Sequence, residues 1–248
     1  MSSYLLVHAD SDREYLRGPG EELQTDLGVL EVPEDVAHGD VLETHLDEAF
    51  HVRRLRGPDL FNHFERTGAP MMPRDIGLVV GHTGAQSGDR VLDAGTGTGV
   101  LSGYLGRIGA AVTTYEIDPE FAENARANME LGGVSDRVEV RTGDLTEHLD
   151  ELVAGDPFDL ITLDTADAAA VVERAPELLV PGGYVAVYTP FVEDARDTEL
   201  AAREAGLGDV ETLETIQREL TVDERGTRPS TAGVGHTGYL LFARLTAR

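Results

Sequence analysis

The sequence contains no cysteine, no lysine and no long run of apolar residues. Without cysteine it can form neither a disulfide framework nor a thiolate metal site. No apolar run approaches the length of about 20 residues that a membrane-spanning helix needs, and the N-terminus lacks the basic and then apolar pattern of a secretion signal. We therefore expect a cytoplasmic protein with no metal and no membrane partner.

Positive charge is also scarce. Asp and Glu number 46 against 20 basic residues, all of them arginine, and the formal net charge is −26. The acids are spread through segments with periodic apolar residues, which excludes a disordered acidic tail. At roughly 1 M salt the screening length is only about 3 Å, so such a surface repels itself little. We interpret the composition as adaptation to a salt-rich cytoplasm, as in halophilic archaea; it neither supports nor excludes a nucleic-acid partner.

The most informative stretch covers residues 90–105, which read as a buried strand, a glycine-rich turn and the start of a helix. Glycines let the backbone approach a ligand closely, and free amides at the helix start face whatever binds there. The pattern is Asp93-x-Gly95-x-Gly97-x-Gly99, whereas the dinucleotide fingerprint needs a glycine at Val100. The observed form is typical of S-adenosylmethionine (SAM) methyltransferases, with a purely structural turn as the alternative.

Acids follow successive predicted strands. The strands are predicted at residues 91–92, 112–116, 138–141, 160–163 and 184–188, and four of them end in or near an acid: Asp93, Glu116, Asp144 and Asp164. Glu116 is suited to accept both hydroxyls of a ribose, and Asp144 or the amides beside it to contact an adenine edge. Because the carboxyl ends of parallel strands line the crevice where such sheets bind ligands, we interpret these acids as parts of one SAM site.

Helices alternate with these strands, and the alternation predicts an α/β fold with a parallel sheet covered on both faces. The helices are predicted at residues 75–81, 119–131, 145–153, 168–179 and 194–205. A turn is predicted at 178–183. The tail reads as two long strands, 209–218 and 238–245, separated by a polar loop; an antiparallel pair of this kind closes the Rossmann-like sheet of class I methyltransferases.

Residues 1–65 read as a small β domain that precedes a SAM-binding domain at 66–248. Short extended stretches are predicted at 4–8, 28–32, 41–44 and 50–55, punctuated by Gly, Pro and Asp. This spacing predicts a small β-barrel or sandwich. Arg53, Arg54 and Arg56 form the densest basic cluster of the chain, and a solvated edge strand and a phosphate-contacting patch explain it equally well.

Several segments together resemble one family over nearly the whole chain. They are Thr-Asp-Leu-Gly-Val-Leu at 25–30, Met-Pro-Arg-Asp-Ile-Gly at 72–77, the glycine loop, Tyr-Glu at 115–116, Gly-Asp at 143–144, Arg-Pro at 228–229 and Gly-His-Thr-Gly-Tyr-Leu at 235–240. The sequence resembles the tRNA (adenine-N1)-methyltransferases of the TrmI type. That resemblance implies methylation of N1 of the adenosine at tRNA position 58, sometimes also of its neighbour, by a SAM-dependent homotetramer.

The chain departs from that family pattern at two points. Residues 165–168 replace a Pro-Glu-Pro-Trp-like run after Asp164, and Met72 stands where the family carries tyrosine. Two other functions therefore stay open: a SAM methyltransferase with another substrate, such as a protein carboxylate or a small molecule, and a catalytically weakened tRNA-binding paralogue. The intact glycine loop, Glu116 and Asp144 argue against the paralogue.

The resemblance and the residue types together predict the site residues. Asp164 is the catalytic candidate: it would accept a hydrogen bond from the adenine N6 amino group and offset the developing positive charge, or instead orient the methionine amino group of SAM. The predicted SAM-binding residues are Asp93, Gly95, Thr96, Gly97, Thr98, Gly99, Val100, Glu116, Ile117, Gly143, Asp144 and Asp164. The predicted tRNA contacts are Arg74, Arg228, His236 and Thr237, with an Arg74–Asp75 capping pair and a turn at 236–238 as structural alternatives.

Overall fold

A computed structural model describes residues 3–233, 235 and 237–246 of the chain. The contacts within the chain divide it into two compact units, which we describe separately. The first unit comprises Met1–Ile76, Gln86–Gly88 and Thr96–Gly143, and the second comprises Gly77–Ala85, Asp89–Gly95 and Asp144–Arg248.

The N-terminal part of the first unit is built from short antiparallel strands. They are β1 (Tyr4–His8), β2 (Glu14–Arg17), β3 (Glu22–Thr25), β4 (Gly28–Glu31), β5 (Val41–Glu43) and β6 (Ala49–Arg54). One sheet has the order β2-β1-β6-β5, and β3 pairs with β4 in a second sheet. Leu6, Leu23, Leu30 and Phe50 belong to one apolar cluster that draws on both sheets. The predicted N-terminal β module is confirmed, while its boundary at residue 65 stays a prediction.

Seven strands form the main sheet. They are β7 (Arg90–Ala94), β8 (Ala111–Glu116), β9 (Val138–Thr142), β10 (Phe158–Leu163), β11 (Leu179–Thr189), β12 (Gly208–Glu214) and β15 (Tyr239–Arg244), in the order β12-β15-β11-β10-β7-β8-β9. β8 runs parallel to β9, and β10 parallel to both β7 and β11. β15 runs antiparallel to β11 and β12. The predicted parallel sheet with an antiparallel closing pair is confirmed.

The helices connect these strands. They are α1 (Gly57–His63), α2 (Pro73–Thr83), α3 (Val100–Ile108), α4 (Pro119–Leu131), α5 (Leu149–Val153), α6 (Ala168–Leu178) and α7 (Val192–Glu204), with a 3₁₀ turn at Leu145–His148. The sequence predicts both ends of α4 because its signals are local: Asp118 Oδ1 accepts the Glu120 and Phe121 amides, and Pro119 follows the cap. Nowhere in the described residues is a helix long and apolar enough to span a membrane.

Two predictions for the second unit need correction. A turn is predicted at 178–183, but Leu178 ends α6 and residues 179–183 lie within β11. The register of β11 with β10 jumps from Leu179 opposite Phe158 to Tyr184 opposite Leu160. The extra residues include Gly182 at φ 89° and form an irregularity inside the strand.

The second correction concerns the tail. The strand predicted at 209–218 ends at Glu214, and the predicted polar loop contains a hairpin, β13 (Leu220–Asp223) and β14 (Gly226–Pro229). Every side chain of this hairpin is exposed. Leu220 and Val222 alternate with polar residues, but the strand is only four residues long, so the alternation is too short to predict it.

Candidate cofactor and active site

The glycine loop of the first unit leads directly into α3. Gly97 and Gly99 both have left-handed backbones, with φ of 51° and 79°. Gly99 is the N-cap residue of α3, so the first amides of the helix have no partner within the helix. A Cβ atom on Gly99 would lie 2.6 Å from Met129 Cε. The left-handed backbone therefore favours glycine at this position, and a larger residue would also require the flexible end of the Met129 side chain to shift.

A buried amide side chain that sequence reasoning missed holds this loop. Asn128 Nδ2 donates to the Thr98 carbonyl (3.0 Å) and to the Glu65 carbonyl (2.9 Å), while Asn128 Oδ1 accepts the Glu65 amide (3.0 Å). Asn128 lies in α4 and is 2% exposed. It ties the glycine loop to the segment after α1. Its only sequence signal is a polar residue on the apolar face of a predicted helix.

Glu116 is placed by two backbone amides. Its Oε2 atom accepts the Gly97 amide at 2.8 Å, and its Oε1 atom accepts the Asp118 amide at 3.1 Å. The carboxylate is therefore fixed in orientation, and each oxygen keeps a lone pair for a further donor such as a ribose hydroxyl. Beside it, Ile117 is 68% exposed, an apolar side chain available to an aromatic ring. The predicted residues fit the adenosine part of SAM.

Gly143 and Asp144 have local partners that the sequence does not reveal. The Gly143 amide donates to the Glu116 carbonyl at 2.8 Å. In the second unit, Asp144 Oδ1 accepts the Thr146 amide (2.8 Å) and the Thr146 hydroxyl (2.7 Å), which caps the following 3₁₀ turn. The Gly143 amide is thus already engaged, and contact of Asp144 with adenine stays a prediction.

The second unit places two acids at the ends of neighbouring strands. Asp93 in β7 lies directly opposite Thr162 in β10, and the Thr162 hydroxyl donates to Asp93 Oδ1 at 2.5 Å. Both side chains are buried. Asp164 follows β10, and its amide donates to the Ala94 carbonyl at 2.9 Å. Thr162 is the second residue that sequence reasoning missed, because only strand register brings it to Asp93.

Gly95 lies against the backbone of Asp164. Its φ is 83°, and a Cβ atom would lie 2.0 Å from the Asp164 carbonyl oxygen. Only a residue without a side chain allows this approach.

The Asp164 carboxyl group has an unusual environment. Its side chain reaches solvent, yet enough protein surrounds the group that desolvation, together with the negative charge of Asp93, raises its pKa to about 7. A carboxyl group that changes charge near neutral pH is suited to a role at a reacting centre.

The predicted tRNA contacts differ in surroundings. Arg74 Nε lies 3.5 Å from Asp75 Oδ1, and burial raises the pKa of Asp75 against the opposing effect of Arg74. Arg228 is exposed on β14, and the Thr237 hydroxyl donates to Glu214 Oε1 at 2.6 Å. His236 lies outside the described residues. The Arg74–Asp75 pair is therefore present, and a role of these residues in binding tRNA stays a prediction.

Comparison with known proteins identifies the family of the chain. A family profile described as a methyltransferase domain matches residues 85–224. The tRNA (adenine(57)-N(1)/adenine(58)-N(1))-methyltransferase TrmI of Methanocaldococcus jannaschii is 33% identical over 271 residues, covering 97% of this chain and 94% of that protein. The tRNA (adenine(58)-N(1))-methyltransferase TrmI of Thermus thermophilus is 30% identical over 209 residues, covering 83% of this chain and 81% of that protein.

Solved structures share the fold. A SAM-dependent O-methyltransferase of Thermotoga maritima has a TM-score of 0.77 at 25% identity, covering 100% of this chain and 94% of that one. The tRNA (m1A58) methyltransferase TrmI of Aquifex aeolicus has a TM-score of 0.71 at 24% identity, covering 99% of this chain and 97% of that one. With its methyltransferase domain and its full-length relatives, the chain is a SAM-dependent enzyme that belongs to the TrmI family of tRNA (adenine-N1)-methyltransferases.

Proposed function

We propose that this enzyme methylates N1 of adenine in tRNA, at position 58 and at the neighbouring position 57. The observation that carries the proposal is the Asp164 carboxyl group at the carboxyl end of β10, on a residue whose backbone lies against Gly95. A relative that is 33% identical over nearly the whole chain and is named for both positions supports it. Action at position 58 alone, as in the name of the Thermus thermophilus relative, is the narrower version.

The residues that we propose for SAM follow from their donors and acceptors. Glu116 accepts the ribose hydroxyls, Ile117 covers the adenine, and Asp144 contacts its edge. The backbone from Gly95 to Val100 runs past the methionine part, with Asp93 and Asp164 facing its amino group. Bound SAM supplies a methyl group on a positively charged sulfur, and the residues named here only have to hold it and align it.

Methylation of the target base requires no general base. Adenine N1 carries a lone pair, so no residue has to deprotonate it before it is methylated. Alignment of two bound reactants can lower a barrier by several kcal/mol. Asp164 accepts a hydrogen bond from the N6 amino group and offsets the positive charge that develops on the ring. Orientation of the methionine amino group of SAM is the alternative role for Asp164.

The remaining proposals concern the RNA and the assembly. The base must leave its stack in the tRNA loop, at a cost of a few kcal/mol. Arg74, Arg228, His236 and Thr237 are proposed to contact the RNA or to close the pocket around the base. We also propose that the enzyme is a homotetramer and that its residues 1–65 form a separate domain. It would work in a salt-rich cytoplasm without a resident metal.

Methyl transfer from labelled SAM to unmodified tRNA in about 1 M KCl tests the function, with nucleoside analysis of the product. We expect N1-methyladenosine at positions 58 and 57. The likeness to an O-methyltransferase makes a hydroxyl substrate the second candidate. A labelled product that carries the methyl group on oxygen, or SAM binding without any transfer to tRNA, would show that the substrate assignment is wrong.

Glu116→Gln should weaken SAM binding by roughly tenfold to a hundredfold, because charge-assisted hydrogen bonds contribute about 1.5–3 kcal/mol. Glutamine keeps the shape but offers one acceptor oxygen where the carboxylate offers two. Calorimetric titration with SAM measures the change. Glu120→Gln, an exposed carboxylate in the first turn of α4, is the matched control and should leave the affinity unchanged. Equal affinities of both variants would contradict the ribose assignment.

A further inference from the structure

Seven arginines of the first unit form no ion pair with an acid among the described residues. Two of them, Arg66 and Arg137, lie apart in the sequence. The other five lie on β2, at the end of β6, at the start of α1 and on α3, and we call them the arginine patch: Arg17, Arg53, Arg54, Arg56 and Arg107. Other arginines of this unit form ion pairs, for example Arg13 with Asp26 and Arg126 with Glu123. The chain has 46 acids and 20 basic residues. A group of unpaired arginines is therefore unexpected, because acidic partners are in excess.

Strand register brings part of the patch together. Tyr4 of β1 lies opposite Arg17 of β2 on one side and opposite Arg54 of β6 on the other. Neighbouring strands lie about 4.8 Å apart, so the Cα atoms of Arg17 and Arg54 are roughly 10 Å apart across the sheet. Arg53 precedes Arg54 at the end of β6, and Arg56 is the N-cap residue of α1.

Arg107 reaches the same segment from α3. Its Nη2 atom donates to the Leu55 carbonyl at 2.6 Å, and its Nη1 atom donates to the Gly132 carbonyl at 3.2 Å. Arg17 likewise donates to carbonyls, those of Leu16 and Glu22. Neutral acceptors therefore position these two guanidinium groups without cancelling their charge.

The nearby carboxylate of Asp59 forms no ion pair with a patch arginine among the described residues. Asp59 Oδ2 accepts the backbone amide of Arg56 at 2.5 Å, which caps the start of α1. The Arg53, Arg54 and Arg56 side chains are all exposed. Arginines that lie near one another without ion pairs repel one another in the free protein, and binding of a polyanion relieves that repulsion.

We propose that the arginine patch binds phosphate groups of the RNA substrate, away from the methyl-transfer site. The proposal rests on the proposed function, which makes the partner an RNA. Guanidinium groups bind phosphate through two parallel hydrogen bonds. Such direct contacts survive at high salt, where long-range attraction is screened. On a surface with a net charge of −26, the patch gives the RNA a local place to dock.

The test compares two triple variants of the full-length protein. Arg53→Gln, Arg54→Gln and Arg56→Gln remove three charges from the patch. Arg174→Gln, Arg196→Gln and Arg203→Gln remove three from arginines that are paired with acids. Both variants reach the same net charge, so a difference between them reports location. Affinity for unmodified tRNA is measured between about 0.5 and about 2 M KCl, together with KM and kcat for methyl transfer.

We expect the patch variant to bind tRNA roughly tenfold more weakly, with a salt dependence of log Kd that is shallower by about 2. Its SAM affinity and its kcat at saturating tRNA should match those of the wild type, which also shows that it is folded. The paired-arginine variant should match the wild type throughout. Equal tRNA affinity in all three proteins, an equal loss in both variants, or patch-dependent binding of polyglutamate in place of tRNA would overturn the proposal.

The same data separate the two proposals. Patch-dependent binding of tRNA without methyl transfer by the wild type would reject the proposed function and keep the patch. Methyl transfer that is unaffected in the patch variant, in KM as well as in kcat, would keep the function and reject the patch.

Discussion

Asp164→Asn should lower kcat for methyl transfer by about 10²–10³-fold, the usual effect of removing one group that stabilises developing charge. Asparagine has nearly the same shape but cannot offset a positive charge on the base. Single-turnover rates at saturating SAM and tRNA measure the chemical step. Asp167→Asn, an exposed carboxylate three residues further on, is the control and should retain the wild-type rate. An asparagine variant with full activity would remove Asp164 from the mechanism.

The pH profile gives the same prediction a second readout. The pKa of Asp164 is raised to about 7, so the carboxylate is mostly protonated below that pH. We expect wild-type kcat/KM to fall by about tenfold per pH unit below pH 7. The Asp164→Asn variant has no carboxylate to protonate and should lack this limb.

Asp164→Asn should lower activity but raise the stability of the folded protein above neutral pH. The pKa of Asp164 in the folded protein lies above its unfolded value of 3.8, so the neutral form favours folding. This contribution is complete below the unfolded pKa and is lost as the pH rises through 7. Asp164→Asn should therefore raise the thermal midpoint at pH 8 and leave it unchanged at pH 4. A variant that is inactive and yet more stable at pH 8 would separate a functional role from a structural one.

Gly95→Ala is expected to destabilise the protein by roughly 3 kcal/mol or more and to abolish SAM binding. The new methyl group would lie 2.0 Å from the Asp164 carbonyl oxygen, and alanine would have to adopt a φ of 83°. The conflict involves backbone on both sides, so one strand end has to move. Thermal denaturation should show a midpoint lower by roughly 6 °C or more.

Gly84→Ala is the matched control for that substitution. Gly84 has a φ of 70°, but a Cβ atom there would meet no atom within 4 Å. Its cost is that of the left-handed backbone alone, about 1–2 kcal/mol, and SAM binding should persist. If the two variants lose equal stability and both bind SAM, the close approach of Gly95 to Asp164 has no functional weight.

Local signals in the sequence predict much of this fold. The strand, glycine loop and helix around residues 90–105 carry their turn and their apolar spacing in consecutive residues, and α4 carries its own cap. The hairpin β13–β14 was missed because its strands have only four residues each, and the β11 irregularity because its register depends on β10.

Local signals also predict some residues of the site and miss others. Position at strand ends singles out Asp93, Glu116 and Asp164 from the sequence alone. The bond from Thr162 to Asp93 is set by pairing between strands 69 residues apart, and Asn128 contacts a segment 63 residues away. No local pattern encodes such partners. The raised pKa of Asp164 depends on the three-dimensional surroundings as well.

Asn128 is an amide side chain that cannot be replaced by a carboxylate without loss of its hydrogen bonds. A surface amide can change to a carboxylate at little cost, and a chain with 46 acids has had room for many such changes. At Asn128 the two amide hydrogens point at the Thr98 and Glu65 carbonyl oxygens. Aspartate would place an oxygen against oxygens there and leave both carbonyls without a donor. An acidic residue is therefore disfavoured at this position. Deamidation of Asn128 would have the same effect, because it would remove the hydrogen bonds that hold the glycine loop.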